Sequence, residues 1–296
     1  MSQVAQAPPV KEKFSLICGL IAVLLWSTVA TGFKLGLQFM SVLQLLWVGT
    51  TISWAIFLAY AFYTKQLKPS FGLIQQSMVL GLINPVIYYI VLFAAYDRLP
   101  AHIAQPLNYT WAITLAFLAI PVLGQKLSRN MILGIGVSYA GVVLLLTSAE
   151  HDGVAALSWM GVGLALLSTL LWATYWLLNT RWHQPPAALM FWSFSWALVI
   201  LTGMVSWLDS FPEFTSTTLI YGGWVGAIEM GITFILWQTA LRHTQHVGRL
   251  GQLIFLSPFI SLVIIAHVLG EEIDILVIPA LVAIVAGIAL GSRNPA

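Results

Sequence analysis

Long apolar stretches account for almost the whole of this chain. A helix needs about 20 apolar residues to cross the ~30 Å hydrocarbon core of a bilayer, and the sequence contains ten stretches close to that length. Only 7% of the 296 residues are charged, against about 25% in an average soluble domain. We therefore predict an all-α integral membrane protein. Its ten transmembrane helices, numbered as spans 1 to 10, are Phe14–Phe33, Val42–Thr64, Phe71–Ala95, Ala101–Leu123, Met131–Thr147, Trp159–Thr180, Ala187–Leu208, Thr217–Leu241, Val247–Leu269 and Ile275–Leu290.

The ten spans form two similar halves of five. A constant shift of 146 residues superimposes Trp26 on Trp172, Phe71 on Thr217, Gly124 on Gly270, and Ala140-Gly141 on Ala286-Gly287. Because five is odd, the second half must cross the membrane in the opposite sense to the first. Such a 5+5 inverted repeat is typical of secondary transporters with a substrate site near the midplane. We expect one membrane domain with a flexible cytoplasmic tail at residues 1–13 and repeats at residues 14–150 and 151–296.

The basic residues predict the orientation of the chain. If the N-terminus is cytoplasmic, ten of the twelve Lys and Arg residues fall in cytoplasmic segments, and only Lys34 and Arg98 fall outside. Cytoplasmic loops of membrane proteins carry this excess of positive charge. Both termini are therefore predicted to be cytoplasmic.

Glu229 lies halfway along span 8 and is the only acid inside an apolar stretch. A charge at the bilayer centre costs roughly 2.5 to 3.5 kcal/mol on insertion scales, so such residues usually face a bundle interior or a watery cavity. One interpretation is a cavity-lining functional residue, and the other is a neutral, hydrogen-bonded acid that joins two helices. The 146-residue shift places Asn84 of span 3 on Met230, next to Glu229. This correspondence favours the cavity.

Polar and aromatic side chains gather at the same depth in several spans. Asn84 and Tyr88 are four residues apart, as are Glu229, Thr233 and Trp237, and residues at this spacing share one face of an α-helix. Aromatic rings can stack on a ring or cover an ammonium, and amides can bind both charged groups of a zwitterion. The predicted substrate-binding residues are Asn84, Tyr88, Gln105, Asn108, Trp111, Trp172, Trp176, Glu229, Thr233, Trp237, Gln252 and Ser257. Since the chain has 13 Trp residues, packing against lipid remains the alternative for any one of them.

Several other functions find no support in the sequence. Cys18 is the only cysteine, which excludes an intrachain disulfide, and no phosphate-binding glycine loop, nucleophile elbow or zinc-protease helix occurs. His243 and His246 lack a companion carboxylate, so we expect no metal and no cofactor. A membrane-embedded enzyme would need a second titratable group at the depth of Glu229, and we expect none there. A scaffold role would not explain polar residues at mid-depth.

The repeat also carries a family resemblance. Each half has a Trp in its first helix, and the second half reads Leu269-Gly270-Glu271 followed by a Gly-containing short helix at residues 286–290. This pattern resembles the EamA-type members of the drug/metabolite transporter superfamily, and within it the YddG-type aromatic amino acid exporters. The first half departs from the pattern, because Gln125 follows Gly124 and Ala112 stands opposite Pro258. The resemblance implies that spans 1–4 and 6–9 surround a central cavity, with spans 5 and 10 as peripheral supports.

The predicted function is export of aromatic or apolar amino acids across the bacterial inner membrane by alternating access. The alternative is a multidrug or toxic-metabolite exporter that takes aromatic cations. The expected partners are small-molecule substrates and membrane lipid, without nucleic acid, and the expected functional unit is a monomer. Proton coupling through Glu229 and facilitated diffusion both remain open.

Overall fold

The structure is a computed structural model that describes residues 11–111, 113–115, 117–118, 129–151, 157–182, 184–244, 250 and 252–291. Its helices in these ranges follow the predicted spans. Their bounds are Glu12–Trp26 and Val29–Gly36 in span 1, Val42–Tyr63 in span 2, Phe71–Gly81, Leu82–Ile87 and Tyr88–Arg98 in span 3, Ala101–Tyr109 in span 4, Arg129–His151 in span 5, Trp159–Arg181 in span 6, Pro186–Leu208 in span 7, Ser216–Gly223, Trp224–Ile232 and Thr233–Arg242 in span 8, Gln252–Leu256 and Ser257–Val268 in span 9, and Val277–Gly291 in span 10.

The helices are long and apolar enough for a membrane protein. Among the described residues, seven helical stretches meet the length and hydropathy needed to cross a bilayer, and the apolar helices Leu253–Val268 and Val277–Gly291 are shorter. Each predicted span coincides with helix in its described part. The prediction of an all-α membrane fold is confirmed.

Span 1 is not the single helix that the sequence predicts. It is interrupted after Trp26 and resumes at Val29. The Ser27 hydroxyl donates to the Val23 carbonyl at 2.7 Å, and the Thr28 hydroxyl donates to the Leu25 carbonyl at 2.6 Å. Hydroxyl side chains in this position compete with the backbone for carbonyl acceptors and bend helices. The apolar pattern of the span does not reveal this interruption.

Spans 3 and 8 share a second irregularity. Span 3 is kinked within Leu82–Ile87, where Asn84 has a non-helical backbone, and span 8 contains a π-helical segment, Trp224–Ile232. The 146-residue shift moves residues 82–87 onto residues 228–233, so the two segments occupy corresponding places in the repeat. π-helical turns are rare and frequently occur at functional sites.

The contacts between helices repeat in the same way. Span 1 packs on span 8, as span 6 packs on span 3. Span 2 packs on span 8, as span 7 packs on span 3. Span 9 packs on span 1, as span 4 packs on span 6. Exchanging the two halves turns each pair into its partner pair. This exchange is what a pseudo-two-fold axis between inverted halves requires, and it agrees with the predicted 5+5 arrangement. The exact division at residues 150 and 151 stays a prediction.

Spans 5 and 10 pack closely against each other. A Cβ added at Gly141 would lie 2.7 Å from the Ala280 carbonyl oxygen, so only glycine fits this contact. The Ser138 hydroxyl donates to the Ile284 carbonyl at 3.0 Å, and these two residues are superimposed by the 146-residue shift. Small residues let the two helices approach closely, and the pseudo-two-fold axis passes through this pair of helices.

Candidate functional site

Glu229 lies in the π-helical segment of span 8 and is 7% exposed. The Tyr89 hydroxyl of span 3 donates to Glu229 Oε1 at 2.9 Å, and the indole of Trp26 lies beside the same carboxylate. Glu229 Oε2 has no hydrogen-bond partner among the described residues. The acid therefore joins the two halves through one oxygen and leaves the other open to a further donor.

Tyr89 corrects one expectation. The sequence predicted no second titratable group at the depth of Glu229, yet the Tyr89 phenol is in direct contact with it. Tyr89 is fully buried. Its place on the helix next to Tyr88 gave no signal that it faces the acid.

A cluster of aromatic rings surrounds this pair. Tyr88 packs on Trp172 with ring centroids 4.7 Å apart, and Trp172 contacts Phe234 at 6.0 Å. Trp26 contacts Phe234 at 6.1 Å and Trp237 at 5.5 Å. Trp111, Tyr175 and Trp176 lie 6.5, 5.8 and 5.9 Å from Trp172. Spans 1, 3, 4, 6 and 8 thus contribute rings to one cluster, which we call the aromatic cluster.

The residues at the centre of the aromatic cluster are related by the repeat. The 146-residue shift superimposes Trp26 on Trp172 and Tyr88 on Phe234, and each tryptophan packs against the ring from the other half. The predicted site included Tyr88 and Trp172 but omitted Trp26 and Phe234. Applying the shift to each predicted residue would have found both.

Asn84 lies where span 3 breaks. Its backbone is extended, with φ −141° and ψ 117°, inside an otherwise helical stretch, because a following proline disfavours the α conformation. The side chain is 1% exposed, and neither its oxygen nor its nitrogen has a hydrogen-bond partner among the described residues. The Tyr175 hydroxyl of span 6 is its polar neighbour, outside strict hydrogen-bond geometry.

The hydroxyl of Thr233 bonds to the backbone of its own span. The residue is fully buried, and its hydroxyl donates to the Ile228 carbonyl five residues earlier. Thr233 and Trp237 lie on the same regular helix, Thr233–Arg242, and Glu229 lies in the π-helical segment before it. That the three side chains share one face stays a prediction. Trp237 still reaches the aromatic cluster through Trp26.

Spans 4 and 9 supply the remaining predicted residues. Asn108 donates to the Ser168 hydroxyl at 2.9 Å and to the Tyr88 hydroxyl at 3.5 Å, and Gln105 is 5% exposed. Ser257 is fully buried and accepts a hydrogen bond from Ser27 at 3.3 Å. The side chain of Gln252 and the whole of His246 lie outside the described residues.

A second polar group lies at one end of the bundle, where Glu271, in the connection between spans 9 and 10, contacts the start of span 4. Glu271 accepts hydrogen bonds from the backbone amides of Ala101 and His102 at 2.9 and 3.1 Å, and its Oε2 lies 2.6 Å from His102 Nδ1. Burial alone would raise the pKa of Glu271, but these donors outweigh it and lower the pKa below its usual value. Lys34 at the same end donates to the carbonyls of Tyr96 and Leu99 at 2.7 and 2.9 Å. Glu271 and Lys34 line a cavity of about 370 Å³ there.

Known proteins resemble this chain over most of its length. The EamA-like transporter family matches residues 13–147 and, a second time, residues 159–293. Protein PecM of Dickeya dadantii (strain 3937) is 22% identical over 201 residues, which span 66% of this chain and 66% of that protein, just under two thirds. A crystal structure of another protein is similar with a TM-score of 0.69 at 20% identity, over 95% of this chain and 96% of the other. This last likeness concerns the fold alone.

Proposed function

Because this chain belongs to the EamA-like transporter family, a group of membrane transporters within the drug/metabolite transporter superfamily, we propose that it exports aromatic and other apolar amino acids. Export runs from the bacterial cytoplasm across the inner membrane. The two halves rock about the pseudo-two-fold axis and expose the aromatic cluster to each side in turn, as in other inverted-repeat transporters. The narrower resemblance to YddG-type exporters stays a prediction.

One observation carries the proposal. A buried acid with a free oxygen, Glu229, lies against a cluster of rings drawn from both halves. The rings can stack on an aromatic or apolar side chain, and the carboxylate can pair with an ammonium. Together these groups match a molecule that combines an apolar body with an amine.

The experiment is uptake by the purified protein in liposomes. We expect accumulation of radiolabelled tryptophan or phenylalanine that excess unlabelled substrate abolishes. Empty liposomes and the Glu229→Gln variant serve as controls. Failure to move any amino acid tested would rule the proposal out.

A second candidate is an exporter of aromatic cations. The negative charge of the Glu229 carboxylate favours this candidate, because none of the described basic side chains forms an ion pair with Glu229. Rings and a carboxylate also suit a flat cation. Competition between a cationic aromatic dye and tryptophan separates the candidates, since an amino acid exporter is inhibited poorly by the dye.

Family members are transporters, and we propose that this chain, too, has no enzymatic activity and needs no metal or cofactor. We also propose that it acts as a monomer in lipid, with small molecules as its only ligands, no nucleic acid among them, and with both termini in the cytoplasm. A protease-cleavable tag at each terminus tests the orientation. Cleavage of the tags by protease added to intact spheroplasts would show that the termini lie outside the cytoplasm, which reverses the proposed orientation.

A further inference from the structure

We infer that the aromatic cluster has a fixed side and a moving side. Asn108 is a positioning residue that holds the Tyr88 ring against Trp172. Trp26 is the ring that moves when a substrate binds. This inference rests on the proposed transport function, and it assigns different roles to the two tryptophans that the repeat makes equivalent.

Three hydrogen-bonding side chains lie on the fixed side. The Asn108 amide of span 4 donates to the Ser168 hydroxyl of span 6 at 2.9 Å and to the Tyr88 hydroxyl of span 3 at 3.5 Å. Ser168 lies four residues before Trp172, on the same face of span 6. The amide therefore ties the Tyr88 ring to the helix that contains Trp172. These two rings pack with centroids 4.7 Å apart and an angle of 32° between their planes.

The other side lacks all three polar side chains. The 146-residue shift superimposes Tyr88 on Phe234, Asn108 on Ile254 and Ser168 on Ala22. Ala22 and Ile254 belong to one apolar cluster, and Phe234 has no hydroxyl that an amide could hold. Trp26 meets Phe234 edge to face, with centroids 6.1 Å apart and an angle of 84° between the planes. The looser of the two equivalent ring pairs is thus the one without the hydrogen bonds.

The backbone around the two tryptophans differs in the same sense. Trp172 lies inside the uninterrupted helix Trp159–Arg181 and is 9% exposed. Trp26 is the last residue of the helix Glu12–Trp26, directly before the interruption of span 1, and is only partly buried. The last carbonyls of a helix lack the hydrogen bonds that hold its interior. Trp26 can therefore change its position more easily than Trp172.

Trp26 also lies where a substrate is expected to bind. Its indole is beside Glu229, whose Oε2 has no hydrogen-bond partner among the described residues. A substrate amine that binds this oxygen places the apolar body of the molecule near Trp26. Movement of this ring makes room for the substrate. The fixed pair of Tyr88 and Trp172 keeps its shape, and a surface that is ordered before binding loses less entropy on binding.

Fluorine NMR of the full chain labelled with 5-fluorotryptophan tests the role of Trp26. The resonances of Trp26 and Trp172 are assigned by their loss in Trp26→Phe and Trp172→Phe. In the wild type we expect added phenylalanine, which contains no fluorine, to shift the Trp26 resonance and to leave the Trp172 resonance in place. A shift of the Trp172 resonance as large as that of Trp26 would overturn the inference.

The role of Asn108 is tested in the same protein without any ligand. Asn108→Ala should shift the Trp172 resonance, because the Tyr88 ring is no longer held, and should leave the Trp26 resonance in place. Tyr88→Phe removes the same hydrogen bond from the other partner, so the double variant should add little to either change.

Tyr88→Phe removes a single oxygen atom and decides the matter if Asn108→Ala does not fold. Gln38→Ala is the control for Asn108→Ala, because it removes an exposed amide, and it should shift neither resonance. A Trp172 resonance that stays in place in both test variants would contradict the positioning role.

Uptake by liposomes connects the positioning role to transport. Tyr88→Phe should raise the tryptophan concentration at half-maximal uptake about threefold or more and leave the maximal rate unchanged, because it removes order that favours binding. An unchanged half-maximal concentration would contradict this effect.

The outcomes distinguish the inference from the proposed function. Wild-type protein that takes up no amino acid and whose resonances do not respond to phenylalanine overturns the proposed function, and the role of Trp26 with it. Wild-type uptake of amino acids with equal shifts of the Trp26 and Trp172 resonances overturns the inference alone. Uptake with a shift confined to Trp26 supports both.

Discussion

At the scale of single residues, the two interpretations of Glu229 turn out to be compatible. The acid is hydrogen-bonded and joins two spans, as the structural interpretation requires, because Tyr89 donates to its Oε1. It also keeps an unpartnered oxygen next to the aromatic cluster, as the cavity interpretation requires. One side chain can therefore hold spans 3 and 8 together and still offer a charge to a substrate.

Removing the Tyr89 hydroxyl should destabilise the protein. Tyr89→Phe leaves a buried carboxylate without its donor, which costs about 1 to 3 kcal/mol. Melting in detergent measures the effect. Tyr63→Phe is the matched control, because Tyr63 is 85% exposed. Equal melting temperatures for the two variants would show that the Tyr89 hydrogen bond contributes nothing to stability.

At the scale of helices, the sequence predicts where spans lie better than how they are shaped. Apolar length predicted spans that coincide with helix where the structure describes them, because burial in lipid demands apolar residues along the whole helix. The interruption at Ser27 and the π-helical segment of span 8 depend on local hydrogen bonds that hydropathy does not record. Tyr89 and Tyr175 lie on the regular helices Tyr88–Arg98 and Trp159–Arg181. They were missed because hydropathy does not show which neighbour a ring faces.

The packing of spans 5 and 10 predicts unequal effects at two neighbouring glycines. A Cβ at Gly134 would collide with the Gly287 carbonyl, whereas a Cβ at Gly136 meets nothing within 4 Å. Gly134→Ala should lower the melting temperature. Gly136→Ala should leave it unchanged or raise it slightly, since alanine is favoured over glycine within helices by roughly 0.5 to 1 kcal/mol. The reverse order would contradict the described contact.

The contact of Glu271 with the start of span 4 predicts a dependence on pH. The folded protein lowers the pKa of Glu271, so its contribution to stability is complete above the ordinary pKa of a glutamate, about 4.3. That contribution disappears as the pH falls through the lower, folded-state pKa. Melting temperatures across this range should therefore fall more steeply for the wild type than for Glu271→Gln. Glu272→Gln, at the exposed neighbouring residue, should behave like the wild type, and parallel curves for all three would exclude the effect.

At the scale of the whole molecule, the sequence predicted the architecture because duplication leaves a constant offset that can be read without coordinates. The aromatic cluster was predicted only in part, since its members come from five spans and their directions depend on how the helices cross. Transport by rocking of the halves requires that the contact between Glu271 and His102, residues of different halves, can open.

Linking this contact covalently should stop transport. Cysteines at positions 102 and 271, joined by a short bifunctional thiol reagent in a Cys18→Ala background, should abolish uptake by fixing one end of the bundle. A reducible reagent allows recovery on addition of a thiol. Each single cysteine with the same reagent is the control, and full uptake by the linked protein would show that this end need not open.

The hydrogen bond from Ser138 to Ile284 has a wider consequence, because it joins positions that are equivalent in the two repeats. In an isologous interface, the kind found in two-fold symmetric dimers, the same surface patch of each subunit meets its counterpart. Equivalent positions are then in contact at the axis. Spans 5 and 10 therefore pack against each other as two subunits of a symmetric dimer do, although they belong to one polypeptide. Residues 1–150 and 151–296, produced as separate chains, should associate through it, and co-purification of one fragment with the tagged other would measure that association.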